Sequence, residues 1–92
     1  MPNVPMRPVY QLRIKDRICS KFIIDKQIVS HWKYGKECPG NFSPIPAGSL
    51  LEIFELNKVG EVWVKASLPH THNTMYLKIS GEELALRFLL VQ

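Results

Sequence analysis

The stretch Glu61-Val62-Trp63-Val64-Lys65-Ala66-Ser67-Leu68 decides how this chain folds. Val62, Val64, Ala66 and Leu68 fall on one side, and Trp63, Lys65 and Ser67 on the other. A period of two marks an extended strand with one face in a core. The next segment repeats the form. Beyond a turn at residues 69–73, residues 74–79 place Met75, Leu77 and Ile79 on one side, with Tyr76 and Lys78 on the other. Joined as a hairpin, these two strands put Trp63, Lys65, Tyr76 and Lys78 on one face. In one register Lys65 stands opposite Tyr76 and Trp63 opposite Lys78, which gives two cation–π pairs of about 0.5–1 kcal/mol each at an exposed site.

The neighbours on either side are also legible. Residues 49–56 read as a strand with Leu51 and Ile53 inward and Glu52 and Phe54 outward. Asn57-Lys58-Val59-Gly60 follows as a turn, with glycine where the backbone takes a positive φ. After the second strand, Ser80-Gly81-Glu82-Glu83-Leu84 has the form of one helical turn, capped by Ser80 with Glu83 three residues on. Residues 85–91 then close the chain as a strand with Leu86, Phe88 and Leu90 toward the core.

The N-terminal half is less regular. Residues 1–8 hold Pro2, Pro5 and Pro8 and read as a flexible or extended tail, leaving residues 9–92 as one small domain. Val9-Tyr10-Gln11-Leu12-Arg13-Ile14-Lys15 alternates and reads as a half-buried strand, with Tyr10, Leu12 and Ile14 on one side and a turn at Asp16-Arg17. Residues 18–34 admit two readings. A helix brings Ile18, Phe22, Val29 and Trp32 near one stripe; two strands broken at Asp25-Lys26 fit the β-branched and aromatic content. No capping box precedes a helix here, so the strands are preferred. Residues 35–48 contain Gly35, Pro39, Gly40, Pro44, Pro46 and Gly48 and form a long loop.

This succession resembles SH3-like small β-barrels. The resemblance is carried by Ile45-Pro46-Ala47-Gly48-Ser49-Leu50-Leu51-Glu52-Ile53, by Val62-Trp63-Val64-Lys65, and by Tyr76-Leu77-Lys78-Ile79 followed by Ser80 to Leu84. It covers the second half of the chain. It implies a mainly β fold, a partly open antiparallel barrel with one short helical turn. The acidic loop and aromatic cluster of the peptide-binding SH3 domains find no match, so no binding site is carried over, and the fold alone does not set the function.

The chain has 92 residues, enough for one domain. Apolar residues make up 46% and charged residues 22%, an ordinary globular balance that argues against disorder. No stretch approaches 18 uncharged apolar residues, and the N-terminus lacks a secretory apolar run; a soluble, cytoplasmic protein is expected, without a membrane partner. The net charge of +4 favours an acidic partner but falls short of a nucleic-acid binder's dense basic stripe. Cys19 and Cys38 match neither a CxxC nor a zinc pattern, so two reduced thiols are expected, with one disulfide left open.

Two clusters carry the functional reading. The first is the face of Trp63, Lys65, Tyr76 and Lys78. The second is Trp32, Lys33, Tyr34 and Lys36, ahead of the long loop. A flat aromatic and basic surface suits a protein hot spot. The expected function is a non-catalytic interaction or inhibitor protein that occludes an acidic surface of a protein partner. The same face suits stacking of unpaired bases beside phosphate-neutralising lysines, so single-stranded nucleic acid is the alternative partner. The competing structural account buries the rings beneath the first 34 residues as a second core layer. Arg13, Lys15 and Arg17 read as a solvated strand face. His70 and His72 lie two apart, but His31 is the only other histidine, and no metal site is expected. There is no nucleophile elbow, phosphate loop or HExxH motif. No catalytic residue or cofactor follows, and a small nuclease or toxin using His70 or His72 is the third reading.

Overall fold

A computed structural model describes residues 3–34, 42–57, 59–67 and 74–91. The two alternating segments are strands β5 (Glu61–Ser67) and β6 (Thr74–Ser80), paired antiparallel in the register expected: Lys65 opposite Tyr76, Trp63 opposite Lys78. Their inner rows, Val62, Val64 and Ala66 against Met75, Leu77 and Ile79, are fully buried. Strand β4 (Leu50–Leu56) adds to β5 with Leu51 and Ile53 on the same inner side. The remaining strands are β1 (Asn3–Pro5), β2 (Arg17–Ser20), β3 (His31–Tyr34) and β7 (Phe88–Val91), the last entered from helix α1 (Gly81–Arg87). Together they form one antiparallel sheet, in the order β1-β7-β2-β4-β5-β6-β3, that does not close, as in a partly open barrel.

The inner side is filled by segments outside the sheet. Leu12, Ile24, Val29, Ile45 and Leu84 join the inward strand residues in one cluster. Ile24 and Ile45 hold each other through reciprocal backbone bonds of 2.8 and 2.9 Å. Residues 42–45 are thereby tied to the N-terminal half.

Several expectations are corrected. Residues 9–15 are not a strand. Val9–Gln11 is a 3-10 turn, and of the three alternating residues only Leu12 is buried; Tyr10 is 83% exposed and Ile14 58%. The chain reverses at residues 13–16, not at Asp16-Arg17: the Asp16 N–H donates to the Arg13 carbonyl at 3.1 Å, and the Arg13 N–H donates to the Asp16 carboxylate at 2.8 Å. An aspartate that bonds the backbone nearby competes with strand formation. Within this turn Lys15 takes φ +78°, a conformation that glycine adopts without steric cost. Lys15→Gly is therefore expected to raise the unfolding free energy by about 0.5–1 kcal/mol despite the extra freedom of the unfolded chain; urea denaturation measures it.

Residues 18–34 hold two strands, as preferred, and the break falls at Asp25, which caps a 3-10 turn (Lys26–Ile28) by accepting from the Gln27 N–H at 2.8 Å. The strands do not pair with each other. β2 lies between β7 and β4, and β3 lies on the far side of β6. Asn3–Pro5 is extended and paired with β7, with its proline on an edge strand where a missing N–H is tolerated.

Helix α1 has two turns where one was expected. Ser80 caps it by accepting from the Glu83 N–H at 3.3 Å, and Arg87 Nε donates to Glu83 Oε2 at 2.7 Å one turn on. That i,i+4 pair and the helix formers Ala85 and Leu86 outweigh the alternation. Leu86 is consequently 67% exposed instead of core, while Phe88 and Leu90 are buried as expected. Gly81 opens the helix with its N–H donated to the Gly60 carbonyl at 2.9 Å. A Cβ there would stand 2.5 Å from Val9 Cγ2 and 3.2 Å from the Gly60 oxygen. Gly81→Ala is expected to cost about 1–3 kcal/mol by overpacking. Val9→Ala in the same chain should recover part of that loss, which a double-mutant cycle in urea reads directly.

Candidate binding face

The outer face of β4, β5, β6 and β3 is built by register. Residues opposite each other on neighbouring strands share a face. One row therefore runs Arg17, Glu52, Lys65, Tyr76, Lys33 across β2, β4, β5, β6 and β3. The next runs Glu55, Trp63, Lys78, His31. Between Ile53 and Glu55 the register of β4 shifts, so that Phe54 and Glu55 together oppose Trp63. A bulge of this kind re-aims a side chain. Here it sets the Phe54 ring against both neighbours, 4.8 Å from the Tyr76 centroid at 61° and 6.3 Å from the Trp63 centroid at 64°. These are edge-on contacts that favour aromatic pairs.

Phe54, Trp63 and Tyr76 are half-buried, and none belongs to the core cluster or to the residues packed against it. The N-terminal segments add strands to the sheet and send Leu12, Ile24 and Val29 to the inner side. The rings thus pack on one another.

The lysines are arranged differently from expectation. Lys65 Nζ lies 3.3 Å from Glu52 Oε2, and Lys78 Nζ lies 3.5 Å from Glu61 Oε1. The cation over the rings is Lys33, its Nζ 5.2 Å from the Trp63 centroid and 5.8 Å from the Tyr76 centroid. The reason is positional: carboxylates stand within reach of Lys65 and Lys78, and a full negative charge attracts an ammonium more strongly than a ring face does. Arg17, Lys33, Lys65 and Lys78 share the face with Glu52, Glu55 and Glu61, so its charge is nearly balanced.

The second cluster splits. Lys33 joins the aromatic face. Trp32 stands opposite Leu77 on the inner side, where it packs against the core with its ring 5.4 Å from Phe42 at 82°. Tyr34 pairs with Met75 in the backbone register. Strand alternation sends neighbours to opposite faces, so Trp32 and Lys33 do not share one. Lys36 lies outside the described residues, as do Cys38, His70 and His72. Cys19 is a half-buried free thiol. Among the described residues no three His, Cys, Asp or Glu side chains are placed to hold a metal, and no helix is long and apolar enough to cross a membrane. Phe54, Glu52 and Glu61 are the members the sequence did not single out. Alternation already turns Phe54 and Glu52 outward; the bulge that brings Phe54 to the other rings left no pattern.

No protein-family model, curated protein or solved structure gives a significant match to this chain.

Proposed function

We propose that this protein is a non-catalytic binding module, an interaction or inhibitor protein of SH3-like barrel architecture, which covers a surface of a protein partner with the outer face of β4, β5 and β6. One observation carries this reading: Phe54, Trp63 and Tyr76 lie side by side, half-buried, against each other and outside the core. Protein interfaces concentrate binding energy in such aromatic centres and surround them with polar rims. The pairs Lys65–Glu52 and Lys78–Glu61 are such a rim. The net charge of +4 supports a partner with an acidic surface, through steering of the encounter.

The near balance of charge on the face weighs against single-stranded nucleic acid. Binding along a phosphate backbone relies on uncompensated cations and weakens steeply with salt. The test is affinity capture from the native host with nuclease-treated extract. The expected result is a protein retained at fixed stoichiometry by the wild type and lost with Trp63→Ala/Tyr76→Ala, with a shallow response to salt. Capture that vanishes on nuclease treatment, or is indifferent to the double substitution, overturns the reading.

A further inference from the structure

We infer, on the reading that this face docks a protein, that the epitope it takes presents a carboxylate beside an apolar side chain, and that Lys33 receives the carboxylate. Of the three lysines at the rings, Lys65 and Lys78 already face Glu52 and Glu61. Lys33 has no carboxylate within ion-pair distance among the described residues, and none of them accepts a hydrogen bond from it. Lys33 is half-buried as a residue, and its ammonium stands over Trp63 and Tyr76. Ring faces attract a cation without filling its three N–H donors. The ammonium is thus already in place, on the rings, and no described residue fills its N–H donors.

An arriving carboxylate completes this cation, and the residue beside it covers the adjoining ring edges. A pair formed there is partly withdrawn from water and is worth more than an exposed one. The rim pairs offer no such gain, since an incoming acid must first displace Glu52 or Glu61. The docked segment is therefore acidic and apolar in immediate succession, and its salt response is that of a single ion pair.

The test uses the whole chain, labelled with 15N, and four defined probes: Ac-Phe-Glu-NH2, Ac-Phe-Gln-NH2, Ac-Phe-Lys-NH2 and the oligonucleotide dT10. The Trp63 indole N–H signal is followed during titration. The glutamate probe is expected to half-saturate it at a concentration about fivefold lower than the glutamine probe. That preference should vanish in Lys33→Ala and persist in Lys26→Ala, at an exposed lysine that belongs to neither row of the face. Equal responses to the glutamate and glutamine probes overturn the inference and leave the docking reading standing. A strongest response to dT10, or to the lysine probe, overturns it in favour of a different ligand. If no phenylalanine-bearing probe moves the signal, both the inference and the docking reading fail.

Discussion

Phe88→Ala is expected to lower the unfolding free energy by about 3–5 kcal/mol, the largest single-residue loss in this chain. Phe88 is fully buried and heads the largest side chains of the core. It leaves α1 and opens β7, opposite Ser20 of β2, so it sits where the helix, the last strand and β2 meet. Removing the ring leaves a cavity that a close-packed interior refills only in part. Small domains hold only about 5–15 kcal/mol in total, and for a chain of this size each kcal/mol moves Tm by about 4–8 °C. A fall of about 12 °C or more in Tm is therefore expected, read by circular dichroism. A change of under 5 °C would mean that the ring is not in the core.

The second large effect is on binding. Trp63→Ala/Tyr76→Ala is expected to weaken partner affinity at least about 100-fold, because central aromatic residues cost 2 kcal/mol or more each when truncated. The same pair of substitutions should cost only about 2 kcal/mol of stability. Cross-strand aromatic contacts on a water-facing sheet contribute about 0.5–1.5 kcal/mol each, with no cavity term, since the rings lie off the core. The contrast with Phe88 is the informative part. If the double variant unfolds, the rings are structural and the binding proposal loses its surface. If it stays folded and keeps its partner, another face binds.

How much of this was legible depended on whether one face of a segment was buried. In β4, β5 and β6 the period-two pattern identified Leu51, Ile53, Val62, Val64, Ala66, Met75, Leu77 and Ile79 as core, because strands half in water must alternate. At residues 9–15 the same pattern misled. Tyr10 and Ile14 alternate with Leu12, yet Pro8 and the Asp16 turn settle the backbone before any partner strand is reached. At residues 85–87 the alternation of Leu86 and Phe88 lost to a capped helix that needed two turns to place Leu84 in the core and Arg87 beside Glu83. The candidate face was half legible. The Lys65–Tyr76 and Trp63–Lys78 register followed from a symmetric hairpin, and the outward set followed from alternation. That Lys33, more than 25 residues before Trp63 in the chain, supplies the cation over the rings depends on β3 pairing with β6 across the whole fold. No local pattern encodes such a pairing.

The Trp63 ring lies outside the core, half-buried and in contact with Phe54. Trp32→Phe leaves Trp63 as the only tryptophan, and acrylamide quenching of its fluorescence then reports directly on that ring. The expected result is quenching between that of a free indole and that of a core residue, falling further when the partner binds. A ring beyond the reach of acrylamide in the free protein, with blue-shifted emission, would contradict it.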